Sequence, residues 1–572
     1  MFLAGIVRGD NLISMKRLPP FSLLCLILFF MIGPHAAATT YYIAANGSDS
    51  NNGTSSASPW AHAPGMPNCK NVCGSTTPNA GDHFTFRGGD TWHLGNSSAS
   101  SYVGGQWIWN WSGSSANPIY VGVDQTWYSG SSWSRPVLNG DNPLWTGSGF
   151  PSSCAHAESG SLVSLGTGSL SFVVFDNFEF TGVCWTGQAS MNGAFLNVPG
   201  GDTNLIVSNL YIHGWTMTSG ASDNFPAIQS FGGGTSADLN QFVGLVIDGA
   251  DSPHFGAGSP NCQWSGNGGS GCASGQGFNG SHVYDVHQSV VRYVSNIMVT
   301  ANCHTMHDNV FEYLYPTFAS GSLQQHPNVM NCLGGATGDN LYWYNNIMRN
   351  TFSTENVYFA VRTNIYFFNN VMFNNMNSTV GEVPAGCIRF NNVSNSAQST
   401  TAYVYNNTFG DSSCQLKFEV ANSPLTAWSG TAYFENNHII GFSPATLSNL
   451  YICATSGTCK INDNGNEVFQ SESAANGQGY SSSNDYAPTS STGASVLAGA
   501  SVSTCSAFST DAALCDGTSD GVAEMADNGG KIASFPSISI VSRNSSWDAG
   551  AYQFQSTSQK PNPPTGLAAA VQ

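Results

Sequence analysis

One phrase recurs along the chain: aromatic or apolar residues, an Asn-Asn or Xaa-Asn pair, then more apolar residues. It reads VFDNFEF around Asn177, IVSNLYI around Asn209, YVSNIMV around Asn296, MHDNVFE around Asn309, YWYNNIM around Asn346, YFFNNVM around Asn370, YVYNNTF around Asn407 and YFENNHI around Asn437. Self-similarity at a period of a few tens of residues marks a solenoid. Apolar and polar residues alternate within each copy, which is strand periodicity, so each copy reads as part of one β-coil with loops of variable length between copies. The intervals 346 to 370, 370 to 407 and 407 to 437 suit one coil each, whereas 296 to 309 is too short for a coil.

Asparagine suits the bend of such a coil for a physical reason. A coil turns its corner against its own core, where backbone N–H and C=O groups lose water and need partners. Asn tolerates the left-handed backbone that a corner needs, and its amide both donates and accepts. Copies stacked along the axis are therefore expected to bond to one another as an Asn ladder.

Composition agrees with an all-β chain. Only 8% of the 572 residues are charged and 64 are glycine, which leaves little material for long amphipathic helices. Solenoids grow in one dimension and escape the usual size limit of a single core, so one long domain is expected at residues 39–555. Its parts read as an atypical start covering the open end at about 39–165, regular coils at about 170–442 and a closing region at about 443–555. Residues 556–572, SQKPNPPTGLAAAVQ within a slightly longer tail, read as a Pro-rich linker or the truncated start of a further module.

The segment from Met15 has a basic start, an apolar run from Phe21 to Ile32 and the small-residue site Ala36-Ala37-Ala38. It reads as a secretory signal over residues 1–38, and the apolar run is short for a membrane span. Residues 1–38 carry three of the 15 basic and one of the 33 acidic residues, so the mature chain has a net charge of −20. That excludes nucleic acid or an anionic membrane as a partner over the whole surface, and any grip on an anion must be local. Fourteen cysteines remain, an even number in a chain read as secreted and expected to act as a monomer. Neighbour pairing is expected for Cys69–Cys73, Cys154–Cys184, Cys262–Cys272, Cys303–Cys332, Cys387–Cys414, Cys453–Cys459 and Cys505–Cys515.

The opening YYIAANGSDSNNGTSSASPW, the following GDHFTFRGGDTW, the Asn-containing coils and the closing DAGAYQF together resemble the secreted right-handed parallel β-helix proteins of the pectin-lyase-like superfamily. The resemblance covers about residues 40 to 554 and implies a right-handed parallel β-helix. Many members act on polysaccharides as lyases or glycoside hydrolases, so it also implies that class of activity. The NTD, DD, GHG and RIK motifs of polygalacturonases are not intact here, nor are the WxDH or RxPxxR patterns of pectate lyases. The resemblance therefore carries no named catalytic residue onto this chain.

Chemistry is read instead from the residues themselves. A second strand precedes the Asn phrase in several coils. Its period of two puts Val357, Phe359, Ile388, Phe390, Leu416 and Phe418 inside, with Arg362, Arg389 and Lys417 outside on successive coils. Stacked coils lie about 4.8 Å apart, so these cations would meet repeating carboxylates or sulfates on a glycan, or else pair with Glu355, Glu382 and Glu419. A second cluster holds His282, Asp285, His287, Arg292, His304, His307, Asp308, Glu312 and His326.

Asp285, His287, His304 and His307 are the proton-transfer candidates; Arg292, Arg362, Arg389, Lys417 and His326 are the candidates to hold an acidic sugar. Asp308 occupies the first position of the Asn phrase and also reads as a corner residue. A hydrolase would need two carboxyls, and a lyase a base with a cation such as Arg292, Arg362 or a bound Ca²⁺. Trp107, Trp109 and Trp111 share one strand face, either as a platform for sugar rings or as packing for the first coils. The expected function is cleavage of an extracellular, acidic polysaccharide in a groove between residues 282 and 389; the alternative is a glycan-binding or surface protein without catalysis.

Overall fold

A computed structural model describes residues 38–555 apart from 146–150, 157–159, 187–192, 219–224, 233–238, 250–274, 295, 315–327, 333–339, 354–355, 362–363, 378–386, 393–400, 412–414, 421–429, 443–445, 454–458, 503–515, 519–539 and 544–545. The segment read as a secretory signal lies outside these residues but for Ala38. So do Arg362, His326 and the pairs Cys262–Cys272 and Cys505–Cys515.

The chain is a right-handed parallel β-helix. Its strands stack in three parallel columns. The first runs from Trp107–Trp109 through Leu196–Val198, Val357–Val361, Ile388–Asn392 and Leu416–Val420 to Tyr451–Cys453. The second runs from Thr40–Ile43 through Thr203–Ser208, Leu341–Tyr344, Ile365–Phe368, Thr401–Tyr405 and Thr431–Glu435 to Lys460–Asp463. The third runs from Thr91–His93 through Val290–Val294, Val310–Leu314 and Ile347–Ser353 to Val468–Gln470. Two strands of 12 residues, Gln276–His287 and Asn296–His307, pass through both the first and second columns and join them into one 22-stranded sheet.

These two long strands explain the short interval in the sequence pattern. They pair along their length from Gln276↔Asn296 to His287↔His307, so a whole coil here takes 20 residues, and Asn296 begins a strand instead of making a corner. The corner that matches Asn309 one coil earlier is Ser289.

Between the second and third columns the coils from Asn177 to Asn437 make the same two-residue corner. Its first residue has positive φ: Asn177 70°, Asn209 54°, Gly244 64°, Gln288 50°, Asp308 57°, Asn345 54°, Asn369 55°, Asn406 53° and Asn436 59°. Asn, Asp and Gly dominate because the short polar side chains of the first two tolerate this conformation and glycine has no Cβ to clash. The second residue is Phe178, Leu210 and Leu245 in the early coils, all buried, then Ser289, then Asn309, Asn346, Asn370, Asn407 and Asn437.

In the later coils each amide is fully used. Nδ2 of Asn309, Asn346, Asn370 and Asn407 donates to Oδ1 of the next Asn at 3.0, 3.1, 3.1 and 3.0 Å. The same nitrogens donate to the carbonyls of Val286, Met306, Trp343 and Phe367. Each acceptor oxygen also takes the backbone N–H of the preceding Asn. Ser289 starts the run, its N–H donating to Asn309 Oδ1 at 3.0 Å, and Glu467 ends it, accepting from Asn437 Nδ2 at 3.3 Å. Burial, together with nearby Asp463, pushes the Glu467 carboxyl up to about 8.

Val357, Phe359, Ile388, Phe390, Leu416 and Phe418 are buried in the core, as the alternation requires. Trp107 and Trp109 are also fully buried, against Phe84, Phe86 and Phe175. They pack the first coils and offer no platform to a sugar. Disulfides join Cys69–Cys73, Cys154–Cys184, Cys303–Cys332 and Cys453–Cys459. Among the described residues no helix is long and apolar enough to cross a membrane.

The third column is covered on its outer side by residues far along the chain. Tyr211, Val246, Val290, Val310, Ile347 and Val371 form one buried apolar cluster with Tyr480, Tyr486, Ala551 and Tyr552. Under this cover runs a line of buried charges. Arg292 Nη2 lies 3.0 Å from Asp248 and its Nη1 3.4 Å from Glu312; Arg349 lies 2.8 Å from Glu312 and 2.8 Å from Asp485.

Candidate functional site

The outer side of the second column carries two rows, set by the strand period. Counting back from the second corner residue, the position four earlier holds Asp285, Thr305, Tyr342, Tyr366, Tyr403 and Tyr433 on successive coils. The position two earlier holds His287, His307, Tyr344, Phe368, Tyr405 and Glu435. Asp285, His287 and His307 stand at the early end with Thr305 among them, aromatic residues follow from the coil of residues 341–344, and Glu435 ends the second row.

Three of the four proton-transfer candidates come together at the early end. His287 Nδ1 is 3.0 Å from Asp285 Oδ1, and His307 Nε2 is 3.9 Å from the same oxygen. One ligand-type atom from each of Asp285, His287 and His307 lies within 4.8 Å of the others. Their side chains are 14%, 19% and 18% exposed, which is open enough for a small ligand to arrive and closed enough to hold geometry.

Stacking fixes the rings. The His287 and His307 rings lie 4.6 Å apart at 8°, and Tyr344 lies 4.7 Å beyond His307 at 8°. Asp308 adds a second restraint: its Oδ2 is 2.7 Å from His307 Nδ1, while its Oδ1 accepts from Asn345 Nδ2 at 3.0 Å. Asp308 is thus a corner residue, as its place in the phrase suggests, and also a partner of the neighbouring imidazole. Two imidazoles and one carboxylate are a poor match to the all-oxygen set that Ca²⁺ takes.

The remaining candidates are placed differently. His304 keeps to the edge of this cluster, with Nδ1 2.7 Å from Thr305 Oγ1 and its ring 5.8 Å from that of Tyr342. Arg292 requires a correction. It is 0% exposed and lies in the buried line of charges on the third column, paired with Asp248 and Glu312, so it cannot reach a sugar. The strand pattern alone left its outer side open to solvent; in the structure Asp248 and Glu312 of the adjacent coils enclose it.

Arg389 and Lys417 do stand in register on the outer side of the first column, and Tyr358 precedes them. The Arg389 guanidinium lies over the Tyr358 ring at 5.0 Å. This strip is on a different column from the Asp285 cluster and four coils further along, about 19 Å at the usual spacing of stacked strands. Residues 282 to 389 therefore do not make one compact cleft.

The row Tyr342–Tyr366–Tyr403–Tyr433 was missed from sequence, although its signal lay within the repeated phrase, as a Tyr four residues before Asn346, Asn370, Asn407 and Asn437. Its rings stack at centroid distances of 5.0, 4.8 and 5.5 Å. Burial pushes the Tyr366 hydroxyl up to about 12, with Tyr403 and Tyr342 adding to the shift.

No family model matches the sequence, and no curated protein matches it. Solved structures similar to the chain include a GH136 lacto-N-biosidase from Eubacterium ramulus at 12% identity and a TM-score of 0.36, covering 76% of this chain and 67% of that one. A rhamnogalacturonan lyase is similar at 14% identity and a TM-score of 0.39, covering 75% and 87%. Pectate lyase Pel9A is similar at 14% identity and a TM-score of 0.37, covering 91% and 97%. At such identity the likeness concerns the fold. The three parallel columns themselves carry the conclusion that the chain has a pectin-lyase-like parallel β-helix fold.

Proposed function

We propose that this protein is exported by residues 1–38 and cleaves an acidic extracellular polysaccharide. The observation that carries the reading is the convergence of Asp285, His287 and His307 on two adjacent coils, since these residue types transfer protons near neutral pH. Arg389 and Lys417, at one-coil spacing beside Tyr358, support an acidic substrate, because a cation row matches a row of carboxylates or sulfates. An extended glycan would bridge the two regions. Disulfides among the described residues suit an oxidising compartment.

A second reading, glycan binding without catalysis, is favoured by the partly exposed rings of Tyr342, Tyr403 and Tyr433 in the stacked row, in which Tyr366 is buried. The test is to incubate the protein with acidic and neutral polysaccharides and follow both reducing ends and ultraviolet absorbance of unsaturated uronates, with and without EDTA. Reducing ends with new absorbance mean a lyase, and reducing ends alone mean a hydrolase. Asp285→Asn is expected to lower the rate at least about 100-fold if Asp285 takes part in proton transfer. Retention on an immobilised glycan with no cleavage would replace the first reading by the second.

A further inference from the structure

We infer that the coils just before Asp285 form a subsite for a neutral sugar unit that carries a methyl group. The inference rests on the reading of the Asp285 cluster as the place of cleavage. It narrows the substrate to a glycan in which acidic units and neutral, methyl-bearing units share one chain.

Position is the first argument. On the outer side of the second column Tyr120, Val174, Ile206, Gln241 and Asp285 are register partners on successive coils. At the usual spacing of stacked strands Gln241 stands about 4.8 Å and Ile206 about 9.6 Å from Asp285. A cavity of about 230 Å³ lies over this stretch, lined by Val174, Ile206 and Gln241 together with Phe172, Asn204 and Leu239. Pro118 and Ser115, from the segment before the strand Ile119–Tyr128, complete the lining. Water takes about 30 Å³ per molecule in the liquid, so the space holds roughly eight waters, which suits one sugar unit and not a chain of them.

The second argument is chemistry. Phe172, Val174, Ile206, Leu239 and Pro118 make an apolar wall, and none of the lining residues is charged. A uronate or a sulfated unit would give up its water there without a counter-charge, whereas a methyl group gains from burial. Among the described residues the side chains of Ser115, Asn204 and Gln241 have no hydrogen-bond partner within the protein, which leaves them for the hydroxyls of a sugar ring. An apolar lining with a few placed polar groups is the usual make-up of a small-molecule site.

The backbone supplies the third argument. Phe172 has a φ of 56°, and Asn204, its counterpart on the next coil, has 55°. Asn accepts this left-handed conformation readily, but a bulky aromatic rarely does. Asn204 makes the kink without a ring, so the turn itself does not call for Phe172. Strained residues of this kind cluster at ligand sites, and this one lines the cavity.

The experiment is saturation-transfer NMR on the full chain with four probes: 6-deoxygalactose, 6-O-acetylgalactose, galactose and galacturonate. Saturation is expected to reach the methyl group of the first or the second, and the preference between them tells a deoxy sugar from an acylated one. Galactose and galacturonate should respond at least about 10-fold more weakly, the usual discrimination of an apolar pocket for one carbon. Ile206→Asp should abolish the contact and Phe172→Asn should weaken it, while Asp285→Asn, outside the cavity, should leave it intact. Should Ile206→Asp fail to fold, Gln241→Ala and Phe172→Asn provide the same comparison. On polymers, stripping acetyl groups or choosing an acidic glycan without deoxy sugars should lower kcat/KM at least about 10-fold. Contact with a methyl-bearing sugar but no cleavage of any polymer would keep the subsite and retire the cleavage reading. Cleavage with no contact to either methyl-bearing sugar, contact that survives Ile206→Asp, or galacturonate bound as well as they are would each overturn the subsite and leave the cleavage reading standing.

Discussion

The early and late coils solve the same corner with different chemistry. Through Phe178, Leu210 and Leu245 the corner closes by burying apolar side chains; from Asn309 to Asn437 it closes by amides that bond along the axis. The residue before is constrained in both halves, because its left-handed backbone is a property of the turn and not of the core. The difference teaches that the backbone path is common property, while the filling of the corner is a local choice between packing and hydrogen bonding. Ser289 lies at the change, its hydroxyl accepting from Leu245 N–H and its own N–H donating to Asn309.

The comparison can be broken first at the buried charges that line the third column where the corner chemistry changes. Removing one member of a buried ion pair leaves its partners under-compensated, so Arg292→Met should cost about 4 kcal/mol, taking the cation from Asp248 and leaving Glu312 with Arg349. Denaturant unfolding measures it, and a loss below about 1 kcal/mol would mean that the network contributes little.

Within the amide run, Asn370→Leu should cost about 3 kcal/mol, because it removes the acceptor for Asn346 Nδ2, the donor to the carbonyl of Trp343 and one of the two donors to Asn407 Oδ1. The reciprocal change, Leu210→Asn, should cost a similar amount, since the new amide has no Asn on either neighbouring coil. If either variant matches the wild type, the two corners are interchangeable and the contrast has no energetic content.

A subtler probe lies at the end of the run. Glu467 has its carboxyl raised to about 8 by burial and by Asp463, against 4.5 ordinarily. Between these values the folded chain holds a proton that the unfolded chain has released, so stability falls as pH rises from about 4.5 to 8. Glu467→Gln, which keeps a neutral acceptor for Asn437, should flatten that part of a pH–melting curve.

His438 has the opposite sign. Its burial lowers the imidazole to about 4, so the unfolded chain takes up a proton first and stability falls as pH drops from about 6.5 toward 4. His438→Gln should shallow that acid limb. The smallest effect on stability belongs to the half-buried strip: Arg389→Ala with Lys417→Ala should change it by no more than about 1 kcal/mol while weakening retention on an acidic glycan.

The coil phrase made most of this architecture legible. Strands at 357–361, 388–392 and 416–420 follow from alternation, and the late run of asparagines follows from the repeated Asn. Asn296 misled because the phrase resembles a corner wherever Asn follows apolar residues, and only strand pairing over 276–287 and 296–307 assigns it to a strand. Trp107 and Trp109 share a face, but alternation does not say which side of the strand is the core. The meeting of Asp285, His287 and His307 was half visible: the first two share one strand, while the third joins them only because this coil has 20 residues.

What the sequence by itself determined, then, is the repeating unit: a strand, a left-handed corner and another strand, each dictated by side-chain period and by the few residues that accept positive φ. What only the tertiary structure decided is which outer faces remain open. Arg292 and Asp285 both sit on outer sides of strands, yet the first is fully buried between Asp248 and Glu312 and the second stays partly exposed. Cover of that kind comes from contacts across large sequence separations, and no local periodicity encodes them.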